Sequence, residues 1–348
     1  MQEHPQPSTD TSLTFTKKVW TVCSIVALFA FLLWFFMLTF DVFLLILAGI
    51  LIALFFHGLA GMIQGKLHLS QKASLLVSVI LTFIVIISVS WFMGSTIQFQ
   101  ISQLAKTLPS TINNAKQQLA ASSLGQKLLE KTSSDKVSEQ AYAFFSKFFN
   151  GTFGVVTDTY VVLFLGLFFT VAPKTYINGF LMLMPSKAKR EAKYTLDRIG
   201  FTLTKWLKGQ IFAMVAIALL KGIALTILGI PMAIALALIA GILNFIPNFG
   251  PLLSMIPAIL IALTQGVNKA IIVAVVYLLL QIVEGNIITP SIQQKLIKMP
   301  AALTIVAQLF MGILSGGWGL ILATPLVAIL IVVVQETYVK KINPGFQE

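Results

Sequence analysis

Long apolar runs separated by short polar stretches organise the whole chain. Val19 to Phe40 is almost continuously apolar, Asp41 interrupts it, and Val42 to Leu59 and Ala73 to Met93 follow. About 20 residues of helix cross the hydrocarbon of a bilayer, so each run reads as a membrane span, with a short turn at Asp41. The first run is too long for a secretory signal core and no small-x-small cleavage site follows it, so it is read as retained. A polar insert then precedes a fourth span, and a fifth runs from Gly209 to Gly229.

Beyond Gly229 the pattern changes. Pro231 to Ile246 and Leu252 to Leu263 are apolar but separated by Pro247-Asn248-Phe249-Gly250-Pro251. Ala301 to Leu314 and Gly319 to Val334 are likewise split by Ser315-Gly316-Gly317-Trp318, and Ala270 to Val283 lies between the two pairs. Each arm is short for a comfortable span, so each pair predicts a helical hairpin that either re-enters or crosses twice. The expected fold is an all-α polytopic membrane protein of about eight segments, two hairpins among them, with a small helical extracytoplasmic insert.

The expected organisation is a cytoplasmic tail over 1–18, three spans over 19–93 and the insert over 94–153. A fourth span over 154–171, a basic cytoplasmic segment over 172–208, a C-terminal membrane block over 209–336 and a cytoplasmic tail over 337–348 complete it.

Composition supports the membrane as solvent. Of 348 residues, 57% are hydrophobic and 10% charged, which excludes a water-soluble enzyme. The net charge of +12 does not point to nucleic acid, because the lysines and arginines concentrate in loops between apolar runs. The segment 172–208 carries eight of them against Glu191 and Asp197, so it is assigned to the cytoplasm. Counting spans from there puts Lys17, Lys18, Lys66, Lys72, Lys340 and Lys341 inside, with both termini cytoplasmic, and the insert outside. The single cysteine, Cys23, excludes an intrachain disulfide.

No Walker A loop, HExxH, GxSxG or Cys/His cluster is present, and His4, His57 and His68 are scattered. Enzymatic chemistry, a cofactor and a metal site are therefore not expected. What remains is movement of a solute, and the signal for it is where helices break. Backbone that leaves a helix at membrane depth needs protein or water to bond its freed groups, and paired Gly/Pro-broken segments point to a transport path. The candidates are Asn244, Pro247, Asn248, Gly250 and Pro251, then Gly312, Gly316, Gly319 and Pro325. Tight turns at the membrane surface are the plainer alternative.

Intramembrane charge is the second signal, since each such group is costly in lipid. Lys221 sits deep in the fifth span, and Glu284 ends the span beginning at Ala270. Glu284 is read as a partner for Lys221 or as a proton carrier, against a lysine in a subunit crevice and a glutamate among headgroups. Asp158 is adequately explained by interfacial capping.

Two stretches are amphipathic. In the insert, Ile97, Ile101, Leu104 and Leu108, then Val137, Ala141, Phe144, Phe145 and Phe148, form helix faces suited to a self-packed cap, subunit contacts or a gate. Leu196, Ile199, Leu203 and Trp206 form a stripe flanked by Lys193, Arg198, Lys205 and Lys208, expected to lie flat on an anionic leaflet.

The series Gly229-Ile-Pro231, Asn244-Phe-Ile-Pro247-Asn-Phe-Gly250-Pro251 and Pro257 resembles the G-x-P…(D/N)-x-I-P-x-x-G-P…P signature of the autoinducer-2 exporter family of PerM-like permeases. Glu284-Gly-Asn286-Ile-Ile-Thr-Pro290, Pro300, Gly312 and Gly316-Gly-Trp-Gly319 to Ala323-Thr-Pro325 resemble the rest of its C-terminal half. The resemblance implies a multi-pass bacterial inner-membrane protein and a homo-oligomer, described in the family as a pentamer. It implies export of the quorum-sensing furanone autoinducer-2 in some members and sodium or lithium/proton antiport in others. Carried onto this chain it falls on Pro247, Gly250, Pro251, Glu284, Asn286 and Pro290, whereas Lys221 lies outside the signature. The leading expectation is export of a small polar solute such as autoinducer-2. The alternatives are a Na+ or Li+/H+ antiporter using Glu284 and a non-transporting scaffold.

Overall fold

The structure is a computed structural model that describes residues 10–91, 158–288 and 300–342. The expected helices of the insert, and Pro290, lie outside the described residues. Among the described residues every regular element is helical. The main helices in chain order are α1 (Asp10–Leu67), α2 (Gln71–Trp91), α3 (Asp158–Val171), α4 (Pro173–Met182), α5 (Lys189–Ile227), α6 (Ala233–Leu243), α7 (Phe249–Leu263), α8 (Val267–Val283) and α9 (Ala301–Val334), with short helical turns continuing α8 and α9. Among the described residues five helices are long and apolar enough to span a membrane, or up to six if the bent pair α3 and α4 is one span. The expected eight segments are thus not all single membrane-length helices.

The first departure is at Asp41. The 58 residues of α1 run without a break, about 87 Å at 1.5 Å per residue, against a hydrocarbon core of about 30 Å. One exposed aspartate with neither proline nor glycine beside it does not stop a helix, and Thr39 Oγ1 donates back to Phe35 O at 2.8 Å within the same ladder. Within the described residues 19–91, two helices stand where three spans are expected. Counting back to place Lys17 and Lys18 inside loses one of its passages.

The second departure is at the basic segment. α5 begins at Lys189, twenty residues before the predicted start at Gly209, and continues unbroken to Ile227. Leu203 and Trp206 are 1% and 0% exposed, packed with Leu44, Leu47, Leu51, Leu322 and Val327 in a core shared by α1, α5 and α9. The stripe expected to face headgroups faces protein, because the helix carrying it is the foot of a span. Its basic end is held by the helical turns that follow α9, Gln335–Val339 and Lys340–Ile342: Glu336 pairs with Arg198 at 3.5 Å and Lys340 at 2.6 Å, and Lys341 with Glu191 at 2.9 Å.

Small residues set the closest helix approaches. A Cβ on Gly49 of α1 would lie 2.8 Å from Leu165 Cβ of α3, and one on Gly166 would lie 2.6 Å from Ile52 Cγ2. On the α5–α6 interface, a Cβ on Gly241 would meet Ala218 Cβ at 2.8 Å. Apolar side chains gain little by leaving lipid for protein, so tight backbone packing through Gly and Ala drives such pairing. α2 packs on α1 through buried Ser78, whose hydroxyl bonds Leu75 O of its own helix at 2.7 Å and lies 3.3 Å from Phe56 O of α1.

Both predicted breaks are present, the first three residues earlier than the expected split at Pro247–Pro251. α6 stops at Leu243 and α7 starts at Phe249, with Asn248 between them at φ +68°. α9 loses helical geometry at Ser315 and Gly316, the latter at φ +57°. In each turn one glycine rides on a carbonyl from the preceding arm. A Cβ on Gly250 would lie 1.9 Å from Leu243 O, and one on Gly319 would lie 1.9 Å from Met311 O. Only a residue without a side chain lets these arms meet so closely.

Candidate functional site

Two buried polar groups of residues lie in the C-terminal half. The first surrounds the break between α6 and α7. There the carbonyls of the turn after α6 stand outside a helical ladder, and buried side-chain amides from other helices bond two of them. Gln210 Nε2 of α5 donates to Asn244 O at 2.6 Å, and Gln308 Nε2 of α9 donates to Pro247 O at 2.7 Å. Asn248 Nδ2 donates to Gln308 Oε1 at 3.1 Å. Gln308 thus clips the first arm of α9 onto the turn of the other broken pair. Gln210, Asn244 and Gln308 are 3%, 2% and 0% exposed. Asn244 Oδ1 is buried without a hydrogen-bond partner, as is Thr304 Oγ1, one turn before Gln308.

This geometry changes what the breaks imply. The freed carbonyls are sealed by protein amides, so the kinks do not by themselves require a wet passage beside them. Gln210 and Gln308 are the residues that reading the breaks alone overlooked. Their signal was an amide inside an apolar run, costly in lipid unless it finds a partner.

The second group surrounds Lys221. Its side chain is 1% exposed, Nζ donates to Ser254 Oγ of α7 at 3.0 Å, and it stands 4.6 Å from the centre of the Tyr277 ring. Ser254 Oγ in turn donates to Pro251 O at 2.8 Å. Tyr277 and Glu284 both belong to the α8 segment, seven positions apart and so on one face, and are 3% and 4% exposed. Tyr277 Oη and Glu284 Oε2 are buried without hydrogen-bond partners. Lys221 makes no direct ion pair with Glu284; its Nζ is held by a hydroxyl and an aromatic face instead. Glu284 opens a π-helical turn, Glu284–Ile288, a local widening frequent at functional sites. Asn286 is exposed and donates to Ile282 O at 2.8 Å.

The remaining predicted positions serve the packing. Pro251 lies in the first turn of α7 and Pro325 inside α9. A Cβ on Gly312 would touch the Leu320 side chain at 3.1 Å across the α9 break. Asp158, expected only as an interfacial cap, is the first residue of α3, and its Oδ2 accepts from Trp318 Nε1 at 2.9 Å, tying α3 to the glycine-rich turn. No group of three or more His, Cys, Asp or Glu suited to a metal ion occurs among the described residues.

Apolar helices of membrane length, two broken segments joined by buried amides and an intramembrane lysine and glutamate define a polytopic membrane protein with a polar seam in its C-terminal half. The sequence pattern of the AI-2E family transporters matches residues 24–339, and the chain belongs to that family. It is similar to the putative transport protein YrrI of Bacillus subtilis, 34% identical over 148 residues, 42% of each chain. It is 32% identical over 127 residues to the AI-2 transport protein TqsA of Escherichia coli K12, covering 35% of this chain and 37% of TqsA. The putative transport protein YhhT of the same strain is 30% identical over 108 residues, 31% of each chain. The matched stretches thus span less than half the length of these relatives.

Proposed function

We propose that this transporter exports a small polar solute of the autoinducer-2 type across a bacterial inner membrane. One observation carries the reading: two broken helices are joined through Gln308, and Asn244 Oδ1 beside that joint is buried with no partner of its own. A hydroxylated solute or water meets that demand, and the printed name of TqsA gives the solute class. The arms α6 and α7 act as a re-entrant pair. Gln265 Nε2 reaches Gly229 O at 3.0 Å and Lys269 Nζ reaches Leu228 O at 2.5 Å, which supports both arms opening on one side. The turn carrying Asn244, Pro247, Asn248 and Gly250 is then the apex, and the Gln210 and Gln308 amides hold it shut.

The C-terminal tail is assigned to the cytoplasm with the basic start of α5, to which Glu336 and Lys341 are bonded. A homo-oligomer is supported by α1, whose apolar residues such as Trp20, Phe29 and Phe36 are exposed over more than one membrane thickness.

The test is efflux from vesicles containing the purified full chain, with a panel of small hydroxylated solutes that includes the furanone. Flux lost in Asn244→Val, with folding retained, supports the path. Unchanged flux refutes it. A second reading, Na+ or Li+/H+ antiport, is favoured by the unpartnered Glu284 Oε2. Sodium-driven proton flux abolished by Glu284→Gln selects it. No movement of solute or ion leaves the scaffold reading.

A further inference from the structure

At the end of α3 the chain turns through 89° into α4. Pro173 causes the corner, since it has no N–H with which to continue the α3 ladder. The corner is then fixed by Thr175 N donating to Ala172 O at 3.1 Å and by an edge-to-face contact between Phe169 and Tyr176, centroids 4.8 Å apart. Yet α4 buries none of its ten residues. At 100° per residue, Tyr176, Ile177, Phe180 and Leu181 fall on one side, and Lys174, Thr175, Asn178 and Gly179 on the other. Tyr176 and Phe180 are 45% and 46% exposed. Apart from the Phe169 contact on Tyr176, the apolar face stays largely open among the described residues.

The fold says what covers it. α3 is an apolar helix of a membrane protein, and a helix joined to it at a right angle runs along the bilayer surface. Exposed Lys187, Lys189, Arg190 and Lys193 follow within a few residues. The only acid among them, Glu191, is engaged by Lys341 at 2.9 Å, so the patch keeps its positive charge.

We infer that α4 is a membrane-surface helix: its Tyr176, Ile177 and Phe180 face enters the acyl boundary of the cytoplasmic leaflet, while the basic run after it sits against anionic phospholipid headgroups. The flat, lipid-reading element of this protein is thus α4, and the stripe at 196–206 belongs to the core. This inference is independent of the transported solute.

The test uses the full chain with Cys23→Ser and one new cysteine at a time, Ile177→Cys, Phe180→Cys, Lys174→Cys or Asn178→Cys, carrying an environment-sensitive fluorophore. The protein is placed in vesicles of phosphatidylcholine alone or mixed equally with phosphatidylglycerol, with lipids spin-labelled near the headgroup as quencher. Labels at 177 and 180 should be quenched about two-fold more than labels at 174 and 178, and more deeply when phosphatidylglycerol is present. Replacing Lys187, Lys189, Arg190 and Lys193 by Gln should abolish the lipid-composition dependence and leave the face difference. Equal quenching on both faces overturns the placement. So does disulfide cross-linking between two copies through Phe180→Cys that shields the label from lipid. Dependence on phosphatidylglycerol that survives the four Gln replacements overturns the headgroup contact.

Discussion

Gln308→Leu tests the amide seal directly. Leucine nearly matches glutamine in volume, so little cavity is created and the change reports chiefly on hydrogen bonds. Two are lost: Nε2 to Pro247 O at 2.7 Å and Asn248 Nδ2 to Oε1 at 3.1 Å. Pro247 O keeps a bond from Phe249 N at 2.8 Å, whereas the Asn248 amide loses the acceptor it uses. Interhelical hydrogen bonds in lipid average about 0.6 kcal/mol, and stranding the half-buried Asn248 donor adds about 1 kcal/mol, the low end for a buried donor. The expected loss is about 2 kcal/mol, roughly a thirty-fold shift toward the unfolded form. Reversible unfolding in mixed micelles measures it, and a double-mutant cycle with Asn248→Ala should give a coupling of about 1 kcal/mol. A Gln308→Leu protein within about 0.5 kcal/mol of wild type, additive with Asn248→Ala, would refute the seal.

Further outcomes follow from the same contacts. Gly250→Ala and Gly319→Ala each drive a Cβ into a backbone carbonyl at 1.9 Å and should cost more than about 3 kcal/mol or block assembly, whereas Gly317→Ala, with nothing within 4 Å, should be near neutral in the same assay. Trp318→Phe removes the donor to Asp158 and should lower stability by about 1.5–3 kcal/mol, with Asp158→Asn restoring less than half of that loss. Glu336→Gln weakens the tie between the C-terminal end and α5, and limited proteolysis should cut before Lys341 faster than in wild type. Protease access to an N-terminal tag in right-side-out vesicles checks the topology: a single passage of α1 leaves the tag exposed on the outer side.

Much of this protein was legible in its residues because the relevant signals are local. A run of apolar side chains long enough to cross lipid, and a proline or glycine that ends it, lie side by side in the chain, so the membrane class and the breaks near Pro247 and at Ser315–Gly316 were legible before any packing. The same local logic failed at Asp41, where a lone charge resembled a turn but left helical propensity intact. It failed again at 189–208, where a cationic amphipathic pattern suits both a leaflet surface and the charged foot of a span.

Which polar residues meet was decided by the tertiary fold. Gln210 is paired with Asn244, Gln308 with Pro247 and Asn248, Lys221 with Ser254 and Tyr277, and Trp318 with Asp158. A helix in lipid is apolar on its outer and inner faces alike, so its periodicity hides which side faces the protein. The rotation of each helix, and hence the partner of each buried amide and charge, emerges only when glycines and alanines from distant parts of the chain bring the backbones together.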